Sequence, residues 1–555
     1  MKKPKKLLKI LSVVLASITG FGVLCHAVLM TWVKVAKDND VPLFIHNLFK
    51  TAFFNDSKED QNINNFKSKT GGLMRGVCHP RPETEIIEKT DEANIEWFRF
   101  DLNGFSPFKL DENYNPIKVN GEYVPNDVFK GDLALIEYYK SFNKKILIIT
   151  PGIDSMLEAI GEESVFLVGG EFSEKFLNYA RECARFYANK LSHLVSAFQI
   201  CNETEIPKWR GALTTEQITY FIGDVMMKEM HDICAANNCV IGFNQSMLGN
   251  YKLAHGLTKN YGQHFDFVGA DLYCGCFEPF TKFMLINEAY VKYLYYVTRK
   301  PVIITEFGYI GHGESKTSKE KKQYLRDTFG EKFDSEKKIK DNFQEFIDLF
   351  DKISHENLAK LKIEEFEFQL THTMTTDAER QAFLSKYAPY DTIEKMNANK
   401  YEFLKVYERV INLDKTCGLV KETRRTMLAG GYSDKAIKEA IKFFFENGKS
   451  HLYKTCDSSI GVIGYKHTEE GQAKYLKDFI ERLSKKHYVC GFFVYQLMED
   501  KYCYECCQEN CPVETGWGLI RVKKGSTQYF DPNEVEIKSS FYAIKEAYTK
   551  LKTQN

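Results

Sequence analysis

Short apolar runs and amphipathic helical stretches alternate along most of this chain of 555 residues. The apolar runs recur at intervals of about 30–50 residues, and apolar side chains with helical spacing lie between them. Runs of continuous apolar residues are typical of strands that are buried on both faces of a parallel sheet. Their alternation with helices predicts an α/β fold, a (β/α)8 barrel, over residues 71–314 and 461–555.

The alternation stops after the seventh apolar run. Residues 315–460 are charged and helical in period, and the next barrel helix is expected at Glu469–Leu483. The pattern therefore predicts a large helical insertion after the seventh strand. Loops that follow barrel strands line the active site, so the insertion either shapes substrate access or is a structural or partner-binding addition.

The N-terminal residues have the pattern of an export signal. Four lysines in residues 1–6 precede an apolar stretch that extends to about Val35. This stretch exceeds the roughly 20 residues that a transmembrane helix requires, and it lacks a convincing small-x-small cleavage site. We expect an uncleaved signal anchor over residues 1–37, a polar tether over residues 38–70, and an extracellular catalytic domain. The alternative is a cleaved signal peptide and a secreted protein.

Charge and cysteine content limit the partners. The chain has 75 basic and 75 acidic residues and no basic block beyond its N-terminus, which argues against a nucleic-acid partner. Fifteen cysteines are many for an exported protein. Four of them crowd together after the eighth apolar run, at Cys503, Cys506, Cys507 and Cys511. These four thiols could bind zinc, pair as disulfides or remain free.

Two of the apolar runs end in a glutamate. Ala197–Ile200 leads into Cys201, Asn202 and Glu203, and Val302–Thr305 leads into Glu306. Placing a carboxylate at the end of a buried strand has a desolvation cost, so such a residue needs a functional reason. Two opposed carboxyls at the carboxyl ends of barrel strands indicate cleavage of a glycosidic bond.

The residues around the glutamates strengthen this interpretation. The ordered set resembles the clan A glycoside hydrolases, which are retaining enzymes on a (β/α)8 barrel and include cellulase-like and β-mannanase-like families. The matching segments are Trp97–Asp101, Asn202–Glu203, Asp266–Tyr273, Thr305–Gly308 and Gly491–Gln496. Two positions depart from the clan pattern: Tyr495 stands where a tryptophan is usual, and Asp271 replaces a frequent histidine.

The resemblance implies a role for each matching residue. Glu306 would be the nucleophile and Glu203 the acid/base. Arg99 and Tyr273 would support the ionised nucleophile, and Asn202 would donate a hydrogen bond to the sugar 2-hydroxyl. The implied substrate is a β-linked oligo- or polysaccharide, and the reaction needs no metal or organic cofactor.

Four further residues are candidate substrate contacts, each with an alternative. Trp209 is either a sugar platform or a buried indole, and His79 contacts either substrate or backbone. Tyr495 could stack under a sugar ring in place of the tryptophan. Asp271 either binds a sugar hydroxyl or pairs with Arg99. Two other functions remain open: a transglycosylase that uses the same residues, and a carbohydrate-binding barrel without turnover.

Overall fold

The computed structural model describes the chain in segments. They are residues 50–51, 54, 60–104, 106–162, 171–204, 213–246, 252–276, 283–313, 318–410, 433–435, 438, 461–502, 515–523 and 532–553. The predicted anchor (1–37), Trp209 and the four clustered cysteines lie outside these residues. Among the helices that the structure describes, none is both long and apolar enough to cross a membrane.

Eight parallel strands close into a barrel, which confirms the (β/α)8 fold implied by the resemblance. Each strand pairs with its neighbours along the chain, and β8 pairs with β1 to close the sheet. The strands are β1 Met74–Cys78, β2 Trp97–Asp101, β3 Lys145–Ile149, β4 Ala197–Gln199, β5 Val240–Ser246, β6 Phe267–Leu272, β7 Val302–Phe307 and β8 Val489–Val494. Almost every residue of these strands is buried, which explains why their sequences read as continuous apolar runs.

Helices surround the barrel, and the helix expected at Glu469–Leu483 lies at those residues. They are α1 Thr84–Glu92, α2 Asp127–Ser141, α3 Glu174–Leu191, α4 Thr215–Tyr220 continuing through a π-helical Phe221–Met227 to Lys228–Ala236, α5 Lys252–Tyr261, α6 Met284–Thr298, α7 Glu469–Leu483 and α8 Ser539–Lys552. Shorter elements are the helical turns Ile153–Ala159, Gly262–His264 and Pro532–Glu534, and the two-stranded pairs Lys118–Val119 with Glu122–Tyr123 and Ile520–Val522 with Val535–Ile537.

Helix α8 secures the strand pair that closes the barrel. The Tyr548 hydroxyl is buried 2.8 Å from the carbonyl oxygen of Gly76 in β1 and 3.0 Å from that of Phe492 in β8. It can donate to one carbonyl at a time, and it holds the two strands where the first and last parts of the barrel meet. The last helix is therefore part of the closure and not an appendage.

The predicted tether ends earlier than expected. Residues Gln61–Thr70 form a helix, whose N-cap Asp60 accepts a hydrogen bond from the backbone of Asn62. Ile63 and Phe66 on this helix are buried, and the Phe66 ring lies 6.1 Å from Phe267 at the start of β6. Burial of these two apolar side chains attaches the helix to the bottom of the barrel, at the end opposite to the glutamates. The apolar residues in this otherwise polar segment were the signal that the tether interpretation missed.

The segment between β7 and α7 is helical where the structure describes it. Its elements are Ser318–Phe329, Glu331–Phe333, Glu336–Asp341, Phe343–Phe368, Gln369–Thr373, Asp377–Ser385, Ile393–Ala398 and Lys400–Val410. Its helices share an apolar cluster of their own, in which Phe366 lies 4.7 Å from Tyr387 and 5.8 Å from Phe403 between ring centres. We call residues 318–410 the insertion.

Candidate active site

The two predicted glutamates lie near the carboxyl ends of two strands. Glu203 follows β4, and Glu306 is part of β7. Glu306 is the penultimate residue of β7 and is only 6% exposed. Strand β4 is shorter than its apolar run suggests, because the backbone leaves the ladder after Gln199. Cys201 and Glu203 both have positive φ, of 56° and 44°, so Glu203 is presented from a tight turn and is half-buried.

Two donors hold the carboxylate of Glu306. Arg99 Nη1 donates to Oε1 at 2.7 Å, and the Tyr273 hydroxyl donates a short hydrogen bond to Oε2. Arg99 comes from β2 and Tyr273 from the residue after β6, so strands from both sides of β7 converge on its carboxylate. Each oxygen has one fixed donor, and the two together set the plane of the carboxylate.

Arg99 is the central cation of the site. Its side chain is 1% exposed, and burial opposes its charge, but attraction to Glu306, Cys78 and Asp271 more than offsets this and raises the pKa of Arg99. The guanidinium also donates from Nε to Gln199 Oε1 at 3.0 Å and from Nη2 to Asn202 Oδ1 at 2.8 Å. A planar guanidinium with several fixed partners cannot swing away from Glu306.

Asn202 has a single orientation that the network enforces. Its Oδ1 accepts from Arg99 Nη2, from Gln199 Nε2 at 2.9 Å and from Asn244 Nδ2 at 2.7 Å. Since three donors surround this oxygen, the other end of the amide is the Nδ2 donor. A half-buried donor at this position fits the role in binding a sugar hydroxyl that the resemblance implies.

Asn244 of β5 links the site to the turn that carries Glu203. Its Oδ1 accepts from the backbone N–H of Glu203 at 3.0 Å, which holds a residue in the left-handed region. Its Nδ2 donates to Asn202 and to Asp271. The side-chain amide of Asn244 therefore fixes both the turn that presents Glu203 and the side chain of Asn202.

Asp271 is fully buried. Thr305 Oγ1 donates to its Oδ1 at 2.6 Å, and Asn244 donates to its Oδ2. Its charge also contributes to the raised pKa of Arg99. The burial of Asp271 argues against direct contact with a sugar hydroxyl. It supports the other predicted role, an electrostatic influence on Arg99.

Aromatic rings form one wall of the site. Tyr495, which follows β8, is half-buried and lies 5.3 Å from the exposed ring of His79 and 5.8 Å from Tyr273 between ring centres. Trp517 is buried beside them, 5.2 Å from Tyr273 and 6.2 Å from Tyr495. All four contacts are edge-on, which locks the rings against one another. His79 and Tyr495 are accessible at the positions predicted for substrate contact.

Two further carboxyls lie near His79, and the sequence interpretation did not select them. Asp101 ends β2 two residues beyond Arg99, and Asp500 follows β8 and accepts a hydrogen bond from Gln496. Burial raises the pKa of Asp500, and the nearby His79 partly counters this, whereas the Asp101 side chain is exposed. The available signals were the period-two spacing of Asp101 from Arg99 in β2 and the position of Asp500 after the end of β8.

Several other residues of the site were also missed, namely Cys78, Gln199, Asn244, Thr305 and Trp517. The first four lie in the carboxyl-terminal halves of strands β1, β4, β5 and β7. The Cys78 thiol donates to the Thr305 carbonyl at 3.4 Å, and burial raises its pKa. For Gln199, Asn244 and Thr305, the signal is a polar residue inside an apolar run. Among the described residues, no cluster of His, Cys, Asp and Glu has a metal-binding arrangement.

No protein-family model and no curated protein matches the chain. Three solved structures to which it is similar are glycoside hydrolases. A GH113 beta-1,4-mannanase has 8% identity and a TM-score of 0.35 over 86% of this chain and 99% of its own. The beta-glucosidase of Pyrococcus furiosus has 12% identity and a TM-score of 0.41 over 89% of each chain. The beta-D-glucuronidase of Dictyoglomus thermophilum has 10% identity and a TM-score of 0.38 over 86% of this chain and 51% of its own. Similarities at this level assign no activity, and the barrel rests on the strand order.

Proposed function

We propose that this protein is a retaining β-glycoside hydrolase that cleaves a β-linked oligo- or polysaccharide through a covalent glycosyl-enzyme. The observation that carries the proposal is the carboxylate of Glu306, which is buried at a barrel strand end with Arg99 on one oxygen and Tyr273 on the other. A buried carboxylate with a fixed plane and a balancing cation is suited to attack as an ionised nucleophile.

In the first step an oxygen of Glu306 attacks the anomeric carbon. The bond from that carbon to the leaving oxygen breaks, and Glu203 gives its proton to the departing oxygen. In the second step a water molecule loses a proton to Glu203 and attacks the same carbon, and the bond to Glu306 breaks. Two displacements on one carbon return the β configuration, and both glutamates regain their initial states.

Trapping the glycosyl-enzyme tests the nucleophile. A 2-fluoro glycoside with a good leaving group should leave one sugar covalently attached to Glu306, as located by peptide mass spectrometry. Glu306→Gln should abolish both labelling and turnover. Glu288→Gln is the matched control, because Glu288 pairs with Arg482 between two barrel helices, α6 and α7, away from the strand ends. Turnover by the Glu306 variant at the wild-type rate would eliminate the mechanism.

Leaving-group dependence tests Glu203. Glu203→Ala should slow substrates with poor leaving groups much more than activated aryl glycosides, which need little protonation. Azide should restore the rate of the second step and give a β-glycosyl azide. Equal loss on all leaving groups, with no azide rescue, would remove Glu203 from the acid/base role.

The two alternative functions are separate outcomes of the same assays. Sugar binding without turnover and without labelling would identify a carbohydrate-binding barrel. Labelling followed by transfer to an acceptor sugar in preference to water would identify a transglycosylase. Both use the same cleft, so the ratio of transfer to hydrolysis decides between the enzyme functions.

We further propose that the barrel acts outside the cell, attached by the apolar stretch in residues 1–37. The support for this proposal is the cluster of four lysines before that stretch, which favours retention of the N-terminus in the cytoplasm. An external position suits a polymer that is too large to import.

A further inference from the structure

The insertion contacts the barrel at the rim of the candidate site through Glu364. This residue lies near the end of the insertion helix Phe343–Phe368, and its side chain is 12% exposed. Lys501 Nζ donates to Glu364 Oε1 at 3.1 Å, and the Tyr502 hydroxyl donates to the same oxygen at 2.6 Å. Lys360, one helical turn earlier, lies 5.7 Å above the Tyr502 ring. One face of this helix therefore holds two consecutive residues of the barrel domain.

Lys501 and Tyr502 end a segment that starts at the aromatic wall. We call residues 495–502 the rim segment. Within it, Gln496 donates to Asp500, and Tyr495 packs on His79 and Tyr273. Tyr273 in turn donates to Glu306. A continuous series of contacts thus runs from Glu364 to the candidate nucleophile.

The barrel holds the earlier part of the rim segment through backbone hydrogen bonds. The backbone N–H of Leu497 donates to Cys78 at 3.3 Å, and that of Glu499 donates to Ile520 at 2.7 Å. Glu499 also forms an ion pair with the buried Lys538 before α8. Beyond Glu499, Lys501 and Tyr502 contact Glu364 of the insertion, and Lys501 also lies 5.1 Å from the centre of the Tyr502 ring. The position of Asp500 therefore depends on attachments on both sides, one from the barrel and one from the insertion.

We propose that Glu364 is a positioning residue, which fixes the rim segment and thereby sets Asp500 and Tyr495 for substrate binding. Lys501 is 14% exposed, so solvent screens its ion pair with Glu364 far less than it screens a surface pair. In this proposal the insertion helps to shape the site. Of the two roles that the sequence left open, the proposal therefore favours substrate access over a structural or partner-binding addition. The kinetic consequence rests on the proposed glycosidase function.

Glu364→Gln tests the attachment, because glutamine keeps an acceptor for Tyr502 and removes the charge that Lys501 needs. The matched control is Glu365→Gln. Glu365 is the next residue and pairs at 2.8 Å with Lys362, three residues earlier on the same helix, so the control changes the same charge without touching the rim segment. Lys501→Met and the double variant Glu364→Gln/Lys501→Met complete a cycle that shows whether Glu364 acts through Lys501.

The first measurement is amide hydrogen exchange of peptides that cover residues 495–502, which needs no substrate. Exchange should accelerate by about tenfold or more in Glu364→Gln and in Lys501→Met, while Glu365→Gln matches wild type. The double variant should be no faster than the single ones. Unchanged exchange in Glu364→Gln and Lys501→Met, or equal acceleration in the control, would overturn the proposal.

The second measurement is the kinetics on a β-linked oligosaccharide. Glu364→Gln should raise KM by about tenfold and change kcat less than threefold, since a displaced rim weakens binding more than the chemistry at Glu306. A fall in kcat alone would contradict a positioning role at the rim. If the wild type cleaves no glycoside, the proposed function fails on that result, and the exchange measurement still decides the role of Glu364.

Discussion

Replacing Tyr273 by phenylalanine removes one oxygen atom from the candidate site and keeps the ring. The ring retains its edge contacts with Trp517, at 5.2 Å, and Tyr495, at 5.8 Å, so the wall that these rings form should stay in place. The hydrogen bond from the hydroxyl to Glu306 is lost. Arg99 then holds the carboxylate through one oxygen, and the carboxylate can rotate about that contact.

The size of the effect follows from the charge on the acceptor. A hydrogen bond to a charged group contributes about 1.5–3 kcal/mol, and each 1.36 kcal/mol is tenfold in rate. Because the bond orients the nucleophile for attack, we expect kcat/KM to fall by about 10- to 150-fold. The fall should appear with activated aryl glycosides as well, since both displacements use Glu306.

Tyr548→Phe is the matched control. It removes the same oxygen from another fully buried tyrosine, whose partners are the carbonyls of Gly76 and Phe492 at the barrel closure. This variant should lose about 1–3 kcal/mol of unfolding free energy and keep its kcat/KM. Steady-state kinetics and thermal unfolding of both variants would therefore show opposite patterns. Full activity in Tyr273→Phe, or an equal loss of activity in the two variants, would refute the reasoning about the nucleophile.

Three further predictions concern pH, packing and location. Burial raises the pKa of the Asp500 carboxyl above its ordinary 3.8, so between the two pKa values the folded protein keeps a proton that the unfolded chain has lost, and stability falls as pH rises. The Tm of Asp500→Asn should therefore gain on that of wild type from about pH 3.5 to about pH 7. A constant Tm difference over this range would contradict the raised pKa. Gly269→Ala would place a Cβ 2.6 Å from Thr305 Oγ1 and 2.7 Å from the Asn244 Cβ, so we expect a loss of about 1–3 kcal/mol in denaturant unfolding, and wild-type stability would show that this layer can shift. Fractionation of the full-length protein should find an intact N-terminus in the membrane fraction and a barrel open to external protease; a mature soluble protein that starts between about residues 27 and 39 would mean a cleaved signal.

The strands and the two glutamates could be predicted from the sequence because strand burial and strand ends leave local signals. A strand that is buried on both faces must be apolar throughout, as residues 146–149 and Val489–Val494 are. A glutamate at the end of such a run is conspicuous, so Glu306 was selected, whereas Arg99 was selected through the resemblance. Glu306 contacts Arg99 and Tyr273, which come from other strands of the barrel. The predicted strand order already brings these three residues to one end of the barrel.

The rest of the site depends on geometry that no local pattern carries. Asn244 acts through the backbone of Glu203, and that contact exists because β4 ends at Gln199 and the chain turns through two positive-φ residues. An apolar run does not show where a strand leaves its ladder. The Glu364 contact joins positions 137 residues apart, between the insertion and Lys501, and its charges resemble those of any exposed helix in the sequence.

Asp271 shows what a departure from the clan pattern changes physically. Both of its carboxylate oxygens accept hydrogen bonds, from Thr305 and Asn244. Arg99 is then one buried cation beside two buried carboxylates, those of Asp271 and Glu306. A neutral imidazole at position 271 would leave the Arg99–Glu306 pair balanced, whereas the aspartate adds a negative charge beneath the cleft. The transition state of glycoside cleavage gathers positive charge at the sugar ring, and preorganised charge of the opposite sign stabilises it without reorganisation. The substitution therefore favours the reaction proposed for this site, and it acts from a position that the sugar does not touch.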